Sequence, residues 1–197
     1  MKEIEVSLFP NDPNSQKRKI AVTNHLYIDR SDIKNYDCKN FYGLSNEKVV
    51  CLKYFGYVSC SKIITDENGD IKKVFVKFLE EINGNVKKNC KGILHWLSVK
   101  EAVDCEVRIF DYLFNVDDPN SLEDFKSEIN KNSLKFLKNA KISKKLAVDI
   151  GEGFRKNRHY QFERVGYFIE DLDSEKNKIV FNMSVGLNEK EKSKINE

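Results

Sequence analysis

The sequence predicts a mainly β protein of antiparallel barrels or sandwiches, and three observations carry that expectation. Short apolar-alternating segments recur with turn signals at intervals of about ten residues, the spacing of all-β folds. Thirteen Phe and eight Tyr favour strands over helices. Only residues 117–130 carry a clear helical pattern, while 133–154 are open to either reading.

Each element follows from its residues. "EIEVSLFP" at 3–10 alternates and is stopped by proline. "NDPNSQKRK" at 11–19 is a turn leading into the basic cluster Lys17-Arg18-Lys19. "IAVTNHLYIDRSDI" at 20–33 reads as a strand and then a polar turn. "EKVVCLKYFGYVSCSKIIT" at 47–65 holds two strand-like segments, with Gly56 at a bulge or close approach. The Asn-Gly pair in "DENGD" at 66–70 marks a hairpin turn. The return strand at 71–82 should put Val74, Val76 and Phe78 on one face. A lysine-rich turn at 83–92 precedes "ILHWLS" at 93–98, a short apolar strand.

"CEVRIFDYLFNV" at 105–116 is a strand running into an irregular segment, with Val107, Ile109 and Tyr112 in loose alternation. In the helical stretch, Ser121 is the expected N-cap, and Leu122, Phe125 and Ile129 share a face. "HYQFERVGYFIED" at 159–171 alternates aromatic with polar residues and leads into a hairpin turn, "DLDSEKNK" at 171–178. "IVFNMSVGL" at 179–187 is the last strand, and the charged tail at 189–197 reads as frayed. Two modules are expected to meet near 103–105, giving segments 1–103 and 104–197 whose end strands can interleave.

Composition narrows the function classes. The 197 residues are 40% hydrophobic, which supports a real core and argues against disorder. A net charge of +3 does not announce a nucleic-acid binder, although the placement of charge matters more than its sum. No apolar run reaches the roughly 20 residues of a membrane span, so a soluble, cytoplasmic chain without a membrane partner is expected. Five cysteines (Cys38, Cys51, Cys60, Cys90, Cys105) lack CxxC spacing, which argues against a disulfide scaffold or a zinc site. "DENGD" begins like a calcium loop, but Ile71 and Lys77 stand where that loop needs Gly and Glu. "KISKKL" at 141–146 resembles an ATP-stabilising lysine loop, without a nucleotide-binding motif to accompany it. No catalytic constellation emerges.

One cluster stands apart. Gln161, Glu163 and Arg164 set an amide, a carboxylate and a guanidinium among aromatics. By the period of two, Gln161 and Glu163 share a face, and Arg164 joins them only if the strand bulges or ends there. One reading is a polar sheet face with an internal Glu–Arg pair. The other is base recognition. A carboxylate accepts from imino or amino hydrogens, an amide does both, and a guanidinium forks onto guanine. Basic residues at 17–19, 87–88, 141 and 144–145 would then track phosphates.

"KGILHWLS" at 91–98, "VRIFDYLFNVDDPN" at 107–120 and "QFERVGYFIEDLDS" with "VFNMSVGL" at 161–187 together resemble the C-terminal anticodon-binding region of glutaminyl-tRNA synthetases. "LYIDRSDI" at 26–33 fits as well. The resemblance runs in order from about residue 5 to about residue 189. It implies two six-stranded antiparallel β-barrels packed end to end, with one or two short helices. It implies a tRNA(Gln) anticodon loop as partner, read by Gln161 and Glu163 at uracil and by Arg164 at guanine. Lys53 and Asn40 fall at positions that contact the anticodon in such proteins. Tyr42-Gly43 and Cys51 stand where basic residues are usual, so fewer first-base contacts are expected.

The resemblance also implies that this part has no cofactor of its own and no catalytic or metal-ligating residue. ATP and Mg²⁺ would serve an upstream catalytic domain of the same polypeptide. A eukaryotic-type glutamyl-tRNA synthetase with the same barrels, or a free-standing RNA-binding barrel protein, are the other readings open at this stage.

Overall fold

The computed structural model describes residues 2–82, 84–90, 92–152, 158–175 and 177–187. It is mainly β with little helix, and it divides into two units, Met1–Glu101 and Ala102–Glu197.

In the first unit, β1 (Lys2–Ser7) and β2 (Lys17–Val22) form an antiparallel ribbon. The short β3 (Leu26–Ile28) is followed by a 3-10 turn, Arg30–Asp32, capped by the Asp29 carboxylate. Next come β4 (Val49–Leu52), β5 (Gly56–Thr65) and β6 (Ile71–Phe78). The β5–β6 turn is fixed by Asp66, whose carboxylate accepts from the Asn68 and Asp70 N–H groups, and by Gly69 at φ +84°. The lysine-rich stretch expected as a turn forms a short helix, α1 (Gly84–Asn89).

The expected strand at 93–98 is divided. β7 (Ile93–Leu94) runs parallel to β4, whereas β8 (Trp96–Ser98) pairs with β3. A change of partner at His95 breaks the ladder. Val22, Ile33, Leu44, Val50, Leu52, Val58, Cys60, Leu94 and Trp96 form the core of this unit. Along β6 Ile71 and Val74 pack against that core, while Val76 and Phe78 remain well exposed.

The second unit is a five-stranded sheet in the order β10-β9-β13-β12-β11. Its members are β9 (Ala102–Phe110), β10 (Leu134–Ser143), β11 (His159–Phe162), β12 (Gly166–Glu170) and β13 (Val180–Gly186). The ambiguous stretch resolves into β10 and a helix, α2 (Lys144–Glu152), whose start is capped where Ser143 Oγ accepts from the Leu146 N–H. Phe168, Phe181, Ile179, Met183, Ile142 and Ile150 anchor its core.

Three expectations need correction. Pairing is not purely antiparallel, because β4 lies parallel to β7 and β13 lies parallel to β9. The sheets also stay open, and no closed barrel forms among the described residues. Finally, residues 117–130 do not form an α-helix with Ser121 as cap. They form two 3-10 turns, Pro119–Ser121 and Phe125–Glu128, capped by Asp118 and Asp124. Each aspartate accepts from the N–H two residues on, which favours a local turn over helix propagation. Leu122, Phe125 and Ile129 therefore share no buried face, and Tyr112, beyond the end of β9, is 83% exposed. The charged tail lies outside the described residues.

Candidate nucleic-acid interface

The polar trio sits on one hairpin at the edge of the second sheet. β11 pairs with β12 from His159↔Ile169 to Phe162↔Gly166. Between that last pair lies a three-residue loop, Glu163-Arg164-Val165, closed by the Val165 N–H donating to the Phe162 carbonyl at 2.9 Å. Arg164 has φ +66°, the positive sign that a type II turn requires at its third residue. The strand thus ends at Phe162, and the alternation rule does not reach Glu163 or Arg164. Gln161 projects from the last rungs of the strand, and Glu163 and Arg164 project from the turn. Gln161 and Arg164 are exposed, and Glu163 is half-buried.

This hairpin is held rigidly. A Cβ on Gly166 would meet the Val185 carbonyl oxygen at 2.7 Å and Met183 Cε at 3.1 Å, so the backbone approach demands glycine. Phe162 packs against Phe168 and Phe181 with ring centroids 4.6 and 5.1 Å apart, and Tyr160 meets Phe181 edge-on at 5.5 Å. Tyr167 lies directly opposite Gln161 and is exposed, which adds an aromatic surface that the sequence reading missed.

Lys53 occupies the same kind of turn in the first unit. Leu52↔Gly56 closes the β4–β5 hairpin around Lys53-Tyr54-Phe55. The Phe55 N–H donates to the Leu52 carbonyl at 2.9 Å, and Tyr54 has φ +66°. The Lys53 carbonyl accepts from Trp96 Nε1 at 2.9 Å, and the Lys53 N–H donates to Leu94 O at 2.9 Å. Phe55 packs between Trp96 and Phe78 at 5.9 and 5.0 Å. The Lys53 ammonium lies 5.1 Å from the Tyr54 ring centroid. "LKYFGY" and "FERVGY" are therefore one turn used twice, with Lys53 matching Glu163 and Tyr54 matching Arg164. The signal was present in the sequence as a Gly-Tyr pair after the same spacing, and it was overlooked.

Asn40 lies on a separate loop of the first unit, exposed and at φ +68°, a conformation asparagine tolerates better than most residues. Beside it, Phe41 has the ammonium groups of Lys34 and Lys48 at 5.0 and 5.3 Å from its ring. Lys48 also bonds Asp37 at 2.6 Å and holds that carboxyl below its ordinary value. The structure thus joins Gln161, Glu163 and Arg164 on one hairpin, sets Lys53 on its counterpart, and leaves Asn40 on a loop of its own.

Sequence reading also missed Arg108, which gathers three carboxylates. Its guanidinium bonds Glu106 at 2.8 Å, Asp173 at 2.8 Å and Asp171 at 3.3 Å. Asn182, opposite Arg108 in the parallel pair, donates to Asp171 as well. Burial pushes the Asp171 carboxyl up, but the Asp173 N–H, Asn182 and Arg108 together leave it below its ordinary value. This clasp ties β9 and β13 to the loop after β12.

Other reactive groups are spoken for. All five cysteines are free, and burial pushes the Cys105 thiol up to about 12. Lys141 pairs with Asp104. Among the described residues no group of His, Cys, Asp or Glu could hold a metal ion, and no helix is long and apolar enough to cross a membrane.

The fold and the two turns define a class: a β-rich chain presenting polar and aromatic heads from rigid hairpin tips, suited to contacting unpaired bases. Two family models meet on it. Both are described as "tRNA synthetases class I (E and Q), anti-codon binding domain", one matching residues 1–79 and the other residues 93–171. The chain belongs to this family of class I synthetase anticodon-binding domains. It is 37% identical over 196 residues to a Dictyostelium discoideum protein named "Probable glutamine--tRNA ligase", covering 98% of this chain and 24% of that protein. To a glutamine–tRNA ligase of Buchnera aphidicola it is 36% identical over 191 residues, covering 94% of this chain and 33% of the relative. To that of Tolumonas auensis it is 33% identical over 191 residues, covering 95% of this chain and 34% of the relative. The chain thus spans about a third or less of the curated relatives it matches.

Proposed function

We propose that the chain is the anticodon-reading module of a glutamine–tRNA ligase acting in the cytoplasm, bound to the anticodon loop of tRNA(Gln). Its role is differential binding: it helps decide which tRNA a catalytic domain of the same polypeptide charges with glutamine. The single observation that carries this reading is the β11–β12 hairpin, which puts Gln161 on its strand and Glu163 and Arg164 on its turn. Gln161 and Glu163 take the uracil edge, and Arg164 forks onto the guanine. Lys53 and Asn40 add contacts from the first unit.

ATP and Mg²⁺ serve the catalytic domain in this account. The segment of this chain that resembles an ATP loop does not fit phosphates: Lys141 is paired with Asp104, and Ser143 caps α2.

The test is filter binding of the chain to hairpin RNAs carrying the tRNA(Gln) anticodon or a tRNA(Glu) anticodon, at fixed salt. Preference for the former is expected. Equal binding to both would remove the glutamine assignment.

A further inference from the structure

The twin turns have a consequence for Tyr54. At the third position of a type II turn, glycine or asparagine is the cheap choice. A bulky residue there is an outlier, and such outliers cluster where strain serves a site. Arg164 stands at this position in one unit and Tyr54 in the other, both at φ +66°. Tyr54 is 39% exposed at the hairpin tip although its ring is large and apolar. Its turn is braced from below by the Trp96–Lys53 hydrogen bond and by Phe55 between Trp96 and Phe78. An ammonium group, Lys53 Nζ, lies over its ring.

We infer that Tyr54 is a stacking platform for one unpaired RNA base, with Lys53 as its cationic partner. A fixed, exposed aromatic ring beside a lysine is the recurring device for holding a single-stranded base without reading its identity. The Lys53 charge suits the flanking phosphate. The two copies of the turn then divide the work: Arg164 discriminates between bases, and Tyr54 supplies affinity that tolerates any base. This inference rests on the anticodon-reading proposal.

The test uses the full chain and anticodon hairpins in which 2-aminopurine replaces each loop base in turn. On binding, one position should lose fluorescence by stacking, and Tyr54→Phe should keep both the quench and the affinity. Tyr54→Leu should abolish that quench and weaken binding roughly 5-fold to 150-fold, the range for one lost base–aromatic stack, whichever base stands there. Tyr54→Gly should lose the same affinity while melting no lower than wild type, because it removes the left-handed strain. Unchanged binding and quench in Tyr54→Leu would overturn this inference alone. So would a loss in Tyr54→Phe as large as in Tyr54→Leu, which would point to the hydroxyl. Failure of the wild-type chain to bind any hairpin would overturn both this inference and the proposed function.

Discussion

Tyr54 and Arg164 occupy the same place in two copies of one turn, each at φ +66°, two residues before the glycine that pairs across the hairpin. For L-residues that conformation costs roughly 1–2 kcal/mol. Arg164 is exposed, so its side chain recovers little of that cost by packing. Arg164→Gly is therefore expected to raise the melting temperature by up to a few degrees while weakening RNA binding. A lower melting temperature would show that the Arg164 side chain stabilises the fold.

Gly166 sets the position of the same hairpin from the other side. A Cβ there would lie 2.7 Å from the Val185 carbonyl oxygen, which is backbone and cannot swing aside. Gly166→Ala should destabilise the chain by about 1–3 kcal/mol, as overpacking does. Urea denaturation reads this as a lower midpoint at an unchanged slope. A wild-type midpoint would mean that β13 yields at Val185 without cost.

The Arg108 clasp predicts acid sensitivity. The Asp171 carboxyl is held below its ordinary value of 3.8 in the folded chain. The unfolded chain therefore takes up the proton first as the pH falls. The stabilisation is fully present above about pH 4 and drains away as the pH drops through the folded value. Asp171→Asn should flatten the stability–pH curve below about pH 4 relative to wild type. Parallel curves would assign the acid transition to other carboxylates.

Much of the fold was legible because most strands carry period-two patterns and strong turn residues. The Asp66–Asp70 hairpin behaves as its Asn-Gly pair predicts. What failed had two causes: local side-chain competition for N–H groups, and partners distant in sequence. Residues 117–130 have helical spacing, yet Asp118 and Asp124 satisfy local N–H groups first. The parallel pairs β4–β7 and β9–β13 join segments more than 40 residues apart, as Cys51↔Ile93 and Arg108↔Asn182 illustrate, and no local pattern announces them. The trio Gln161, Glu163 and Arg164 was visible as chemistry. Its geometry was not, since strand periodicity cannot say where the strand ends. Arg108 escaped notice because its carboxylate partners Asp171 and Asp173 are remote in sequence.

In the proposed function Arg164 reads one base. Filter binding of wild type and Arg164→Ala to hairpins carrying guanine or a substitute at the third anticodon position tests it most directly. A lost bidentate base contact predicts a cost of about 1–3 kcal/mol on the guanine hairpin and little change on the others. An equal loss on every hairpin would mean that Arg164 holds the RNA backbone or the fold, and would contradict the account.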